Sequence, residues 1–243
     1  MTIEFRHPTA AEEPRLRALF TEAFSDAGFT ELFFRTGFAP DRCLGAFDGE
    51  LLAALHWFDC RLDGEKAAYI YGIAAFESCR GRGIGSRLIR AALEHLRGRG
   101  YGPVLLVPAE ERLFGYYERL GFRAVSTIRE ETVTAGMPLP IRRLTPEAYA
   151  RERRRLLPGH SLVQEGPCLA LLAGYADFYA TDHALAAVSR DMVWELLGDP
   201  AEAPGLIAAL GLETARVRTP GAGRPFAMGL GTAGSVYLGL ALD

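Results

Sequence analysis

The strongest chemical signal in this 243-residue chain is the run Arg80-Gly81-Arg82-Gly83-Ile84-Gly85-Ser86. Its glycines let the main chain approach an anion with no Cβ in the way, and its two arginines add fixed positive charge. Behind it, Ile84, Leu88, Ile89, Ala92, Leu93 and Leu96 recur at helical spacing, which predicts a turn opening into an amphipathic helix. The apolar run ending at Ala75 predicts a strand ahead of it. First-turn amides have no partner within their own helix, and the helix dipole favours negative charge there. Strand, glycine turn and helix N-terminus therefore predict an anion site suited to phosphate. Two common phosphate loops fit poorly: Leu88 stands where Gly-x-Gly-x-x-Gly needs its last glycine, and no Gly-Lys-Ser/Thr is present.

A second motif lies downstream, Phe114-Gly115-Tyr116-Tyr117-Glu118-Arg119-Leu120-Gly121-Phe122. It follows the strand-like Val104–Val107, ended by Pro108. Residues 110–120 predict a helix with Gly121 as its C-terminal stop, and residues 122–133 a further strand. Taken with the loop, this resembles the GCN5-related N-acetyltransferase (GNAT) family over residues 2–133. Arg80, Gly83 and Gly85 match that family's Arg/Gln-x-x-Gly-x-Gly/Ala, and Tyr117, Gly121 and Phe122 match its Tyr-x-x-x-Gly-Phe. There are departures: Glu77, Glu110 and Leu113 stand where many members have Pro, Asn and Ala. The asparagine usually helps hold the pantetheine arm, so that one contact is not carried over.

The resemblance implies an α/β (α+β) fold with a mixed, mostly antiparallel central sheet flanked by helices. Two parallel central strands splay, and acyl-CoA wedges between them. It implies an enzyme that moves an acetyl group from acetyl-CoA to a primary amine by direct attack on the thioester, with acetyl-CoA as co-substrate and no metal. Arg80, Gly81, Arg82, Gly83, Ile84, Gly85 and Ser86 would then hold the pyrophosphate. The main chain at Ala75 or Phe76 would face the thioester, and Tyr117 would be the general acid. A thiol pKa near 8.5 against a phenol near 10 makes that proton transfer feasible. The base stays open among His56, Tyr71 and Glu110, with Asp59, Tyr69 and Glu111 also nearby. The alternative is a non-catalytic acyl-CoA sensor or interaction module, motivated by Glu110 and by the second half of the chain.

Composition sets the wider bounds. With 49% hydrophobic and 23% charged residues the chain reads as an ordinary globular protein, and a net charge of −3 argues against a general nucleic-acid binder. Arg87, Arg90, Arg97 and Arg99 also crowd the helix after the loop, where a solvated face is expected. Cys43, Cys60, Cys79 and Cys168 show no metal spacing and read as reduced thiols of a cytoplasmic protein. Glu4, Arg6, Glu12 and Glu13 make the N-terminus neither a signal peptide nor a membrane span. The expected partner is a small-molecule or peptide amine, with no nucleic acid and no membrane; a homodimer is left open.

The elements that must position these residues follow from pattern. Residues 3–6 predict a strand, and Thr9 with Glu12 a capping box opening a helix to about Phe24. A short helix to about Phe34 follows. Strands at 42–47, 50–60 and 66–75 are joined by Asp48-Gly49 and Asp63-Gly64 hairpins. This gives a domain at 1–133, a linker at 134–140 and a second domain at 141–243. In the latter, helices are expected at 145–157, 165–175 and 200–210, and strands at 177–180, 184–190, 192–197, 213–218, 225–230 and 236–242. That order repeats the first half and predicts a degenerate GNAT-like copy. Its counterpart loop, Gly198-Asp199-Pro200-Ala201-Glu202, has acids where phosphate would bind. Trp194 and the Phe178-Tyr179 pair are weaker candidates for partner anchors.

Overall fold

Asp48-Gly49 and Asp63-Gly64 turn the chain back on itself, as expected. Gly49, Asp63 and Gly64 all take positive φ in the computed structural model, which describes residues 3–241. The first compact unit comprises the chain up to Arg123 together with Gly229–Thr232. Its elements are β1 (Glu4–Arg6), α1 (Glu13–Phe24), α2 (Ala27–Thr36), β2 (Cys43–Asp48), β3 (Glu50–Leu62), β4 (Glu65–Ala75), α3 (Ile84–Gly98), β5 (Val104–Leu106), α4 (Arg112–Glu118) and β6 (Arg123–Ala124). The capping box forms: Glu12 accepts from the Thr9 amide at 2.7 Å and from the Thr9 hydroxyl at 2.9 Å. Arg6 clamps the same carboxylate at 2.7 Å and holds its pKa down to about 2.

Strands β1 to β4 run antiparallel in sequence order, and β5 then lies parallel to β4. The two parallel strands pair only at Ala68↔Val104 and Tyr69↔Leu105, so the rest of β4 parts from β5. The β3–β4 register slips by one between Ala54 and His56, leaving Gly72 and Ile73 as a bulge opposite Leu55. Gly72 has φ +63°, and a Cβ there would lie 2.7 Å from the Phe20 ring, so the bulge needs glycine on both counts.

The remaining elements are β7 (Thr127–Thr134), β8 (Arg142–Leu144), α5 (Pro146–Leu156), β9 (Leu162–Gln164), α6 (Pro167–Leu172), β10 (Asp177–Ala180), β11 (Ala184–Ser189), β12 (Met192–Gly198), α7 (Ala203–Ala209), β13 (Thr214–Pro220), β14 (Arg224–Pro225) and β15 (Met228–Leu230). The second unit comprises Ala124–Met228 and the chain from Ala233 on. Its sheet runs β14-β7-β13-β12-β11-β10-β8, with β12 and β13 parallel. Strand, two helices, an antiparallel meander, a helix and a parallel strand thus recur in the order of the first unit, β9 being the addition. Leu206 and Ile207 of α7 pack on Val188, Val193, Leu196 and Val217 to form its core.

The division of the chain differs from expectation. Residues 122–133 read as one strand closing the first domain, but only β6 does so; β7 pairs with β13 from Ile128↔Pro220 to Thr134↔Thr214 and belongs to the second sheet. In the first sheet the place between β5 and β6 is taken by β15, from the far end of the chain. Each sheet is therefore completed by a strand that linear order assigns to the other half. Residues 134–140 are no free linker either. The amides of Ala135, Gly136 and Leu139 bond to the carbonyls of Glu213, Pro204 and Gly205. The strand expected over 236–242 reduces to a bridge between Tyr237 and Ser161, residue 242 lying outside the described residues.

A buried ion pair anchors the second unit. Glu195 accepts from Arg153 Nε at 2.6 Å, from the Tyr149 hydroxyl at 2.7 Å and from the Tyr237 hydroxyl at 3.0 Å. Arg153 and Glu195 are 2% and 0% exposed, so the tyrosines are needed to satisfy oxygens that water cannot reach. Phe178 is buried and stacks on Tyr149 at 4.3 Å between centroids, a core role rather than a partner anchor.

Candidate functional site

The Arg80–Ser86 turn forms as its sequence predicts. Gly81 and Gly83 adopt φ +75° and +71°, a conformation that side chains disfavour, and a Cβ on either would meet nothing within 4 Å. Open space therefore lies before the turn, and Arg80 to Gly83 are exposed. Gly83 caps α3, whose first internal bond runs from the Arg87 amide to the Gly83 carbonyl at 3.2 Å. The amides of Ile84, Gly85 and Ser86 precede that bond and have no acceptor within the helix. Leu88, Ile89, Ala92 and Leu96 are buried and hold α3 in place. Of the later arginines, Arg87 lies 5.5 Å over the Phe5 ring and Arg99 donates to the Asp41 carbonyl at 2.9 Å.

The turn is tied to the end of β4. Arg80 Nε donates to the Ala75 carbonyl at 3.2 Å. Phe76 gives its amide to the Leu52 carbonyl at 3.1 Å, which excludes Phe76 as the main-chain donor. Antiparallel alternation then makes Ala75↔Ala53 a non-bonded pair, so the Ala75 amide points away from β3 toward the edge where β4 and β5 have parted. Glu77, at the departure from the family pattern, donates its amide to Glu22 of α1 at 2.7 Å.

The turn is also tied to the tyrosine helix, by a residue that sequence reasoning passed over. Ser86 Oγ donates to the Tyr116 hydroxyl at 3.1 Å. Tyr116 meets Tyr117 edge-on at 5.0 Å, and Tyr117 meets Phe122 edge-on at 6.0 Å. Tyr117 is buried, and its hydroxyl makes no hydrogen bond to another described residue. Burial, helped by Tyr116, pushes this phenol well above its usual range. It stays protonated and is a weaker acid than a free phenol.

The base candidates are not gathered at one point. His56 is fully buried among Phe33, Phe38 and Phe58, at ring distances of 5.2, 5.9 and 4.9 Å. Both its ring nitrogens lack a partner, and desolvation lowers its pKa to about 3. It is a neutral core residue, out of reach of an incoming amine. Glu110 is exposed and paired with Arg112, whose hydrogen bond lowers its pKa. Asp59 is held by Arg42 at 2.7 Å and by Tyr101. Tyr71 is half-buried on β4, 5.6 Å from the Phe33 ring.

The segment before α7 stands in the second unit where the turn stands before α3. At the start of α7, Asp199 accepts from the Ala201 amide at 2.9 Å, and Glu202 accepts from the His183 amide at 3.1 Å and from the Thr181 hydroxyl. Asp199 thus already occupies the Ala201 amide, and Glu202 adds a second negative charge there. Gly198 serves contact with its own backbone, since a Cβ there would lie 2.1 Å from the His183 carbonyl. All four cysteines are buried and free, with burial pushing Cys168 up to about 12. Among the described residues no group of three or more His, Cys, Asp or Glu is placed to hold a metal, and no helix is long and apolar enough to cross a membrane.

Comparison with known proteins bears on the same region. The profile of the Acetyltransferase (GNAT) domain family matches residues 4–125. No curated protein matches. A GCN5-related N-acetyltransferase from Kribbella flavida aligns over 94% of this chain and 70% of its own, at 21% identity and TM-score 0.71. One from Anabaena variabilis aligns over 94% and 72%, at 12% identity and TM-score 0.72. Eis1 from Mycobacterium abscessus aligns over 90% and 66%, at 19% identity and TM-score 0.66. At these identities the structures establish the fold, and they do so across both units. The profile match covers half of the chain and contains both the glycine turn and the tyrosine helix. The chain therefore belongs to the GCN5-related N-acetyltransferase family.

Proposed function

We propose that this protein is an acetyl-CoA-dependent N-acetyltransferase that acts on a primary amine. One relationship carries the reading: the open glycine turn, the outward Ala75 amide and Tyr117 are brought to one region by the Arg80–Ala75 and Ser86–Tyr116 bonds. The residues fit the co-substrate, since the turn leaves room for a diphosphate and its helix presents amides without acceptors. Acetyl-CoA supplies an acetyl group activated as a thioester. The amides of Gly81 to Ser86 bind its diphosphate, and Arg82 adds charge. Arg80 fixes the peptide at Ala75, whose amide is aimed at the acyl end. Tyr117 gives a hydrogen bond to the leaving sulfur, which departs as the thiolate and takes its proton from water. Tyr71, half-buried on β4, is the candidate that orients a water, and the proton lost by the amine leaves through that water. Residues 141–243, completed by β7, are a degenerate copy of the same fold that binds no CoA, the Asp199 and Glu202 carboxylates being the support for this.

One observation favours the second reading, a non-catalytic acyl-CoA sensor: His56 and Glu110 are both unfit as bases. Acetyl-CoA-dependent thiol release across a panel of small amines and peptide N-termini separates the two. Release with at least one class supports the enzyme. Binding without release across the panel supports the sensor.

A further inference from the structure

We propose that Tyr116 is a binding residue of this site, giving the diphosphate of acetyl-CoA a donor from α4 beside the main-chain amides of α3. The inference rests on the acetyl-CoA reading above and adds a contact from outside the glycine turn. Tyr116 is not one of the residues matched to the family motif; its neighbour Tyr117 is.

Ser86 is in the first turn of α3 and donates its hydroxyl hydrogen to the Tyr116 oxygen at 3.1 Å. A phenol that accepts this bond keeps its own hydrogen to give, and no acceptor for it is present among the described residues. The same oxygen would lie 3.4 Å from a Cβ on Gly85, which places it against the first turn itself. The ring is half-buried and braced edge-on by Tyr117, so the hydroxyl is held rather than free to swing. A neutral O–H beside three amides without acceptors adds one more donor to an anion site.

The test compares two acyl donors, acetyl-CoA and acetyl-pantetheine, which has the thioester but no nucleotide. Binding by calorimetry and steady-state kinetics are measured for the wild type, Tyr116→Phe, Ser86→Ala and the double variant. Tyr116→Phe keeps the ring and is expected to weaken acetyl-CoA about tenfold, with kcat at saturating donor within about twofold. Its KM for acetyl-pantetheine is expected to stay unchanged, which a merely structural role would not produce. Ser86→Ala gives a smaller loss that does not add to the first in the double variant. Unchanged acetyl-CoA affinity in Tyr116→Phe, or equal losses for both donors, overturns the assignment. Should Tyr116→Phe fail to fold, Ser86→Ala takes its place: a loss confined to acetyl-CoA supports the contact, and none overturns it. A wild type that binds no acetyl-CoA removes the functional reading itself, whereas equal binding by wild type and Tyr116→Phe removes only this contact.

Discussion

Ser86 Oγ and the Tyr116 hydroxyl stand 3.1 Å apart across thirty residues of sequence, and their bond fastens the glycine turn's helix to the tyrosine helix. Two motifs far apart in sequence are held together by it. Tyr117, next in the chain, is thereby set on the buried side with its hydroxyl unbonded among the described residues.

Replacing Tyr117 tests its role directly. Tyr117→Phe removes a buried hydroxyl that satisfies no neighbour, so stability should hold and acetyl-CoA affinity should stay within about twofold. Turnover should fall by about 10². Steady-state kinetics beside calorimetry read this split, and unchanged kcat would remove Tyr117 from the mechanism.

His56 makes stability depend on pH. Its pKa of about 3 in the folded protein lies below the usual histidine value, because burial penalises the charged ring. Above about pH 6.5 both folded and unfolded forms are neutral and nothing is lost. Between that pH and about 3 the unfolded chain takes up a proton that the folded one refuses, so stability falls by about 1.4 kcal/mol per pH unit. His95, also lowered by burial, acts in the same direction. The carboxylates titrate lower, so melting temperatures between pH 7 and 5 isolate the histidines. His56→Leu should flatten most of that slope; an unchanged slope would contradict the assignment.

The buried ion pair should be costly to break. Arg153→Leu leaves the Glu195 side chain fully buried and short of two hydrogen bonds. A loss of about 3–5 kcal/mol is expected in urea titration. A loss below about 1 kcal/mol would mean that the network relaxes or admits water.

Strand exchange predicts that a cut in residues 134–140 does not release two folded domains. A fragment of residues 1–140 lacks β15, which fills the place between β5 and β6. It carries β7 with no β13 to pair with. Circular dichroism should show no cooperative thermal transition for it. A sharp transition matching that of the full chain would show β15 to be dispensable.

This exchange also marks where the sequence stopped being legible. The hairpins at Asp48-Gly49 and Asp63-Gly64, the Thr9 capping box and the Arg80–Ser86 turn were readable because each is fixed by neighbours in the chain. Alternation over 122–133 announces a strand but carries no record of which sheet it joins, since the pairing of β7 with β13 is decided by residues far away. Tyr116 is in sequence one of two adjacent aromatics; its partner Ser86 lies on another helix, and nothing in spacing pairs them. His56 is a histidine on a strand in sequence, and only the surrounding phenylalanines make it a sealed, neutral one.

Titration calorimetry of acetyl-CoA into the wild type and into Gly83→Glu tests the central claim most directly. Gly83 has φ +71° with open space before it, so the substitution costs about 1–2 kcal/mol in backbone strain and leaves the fold in place. Its carboxylate would occupy the space assigned to the diphosphate. Micromolar binding by the wild type and a loss of at least about 100-fold in the variant are predicted. No heat of binding by the folded wild type at millimolar acetyl-CoA, or equal affinity in both proteins, would contradict it.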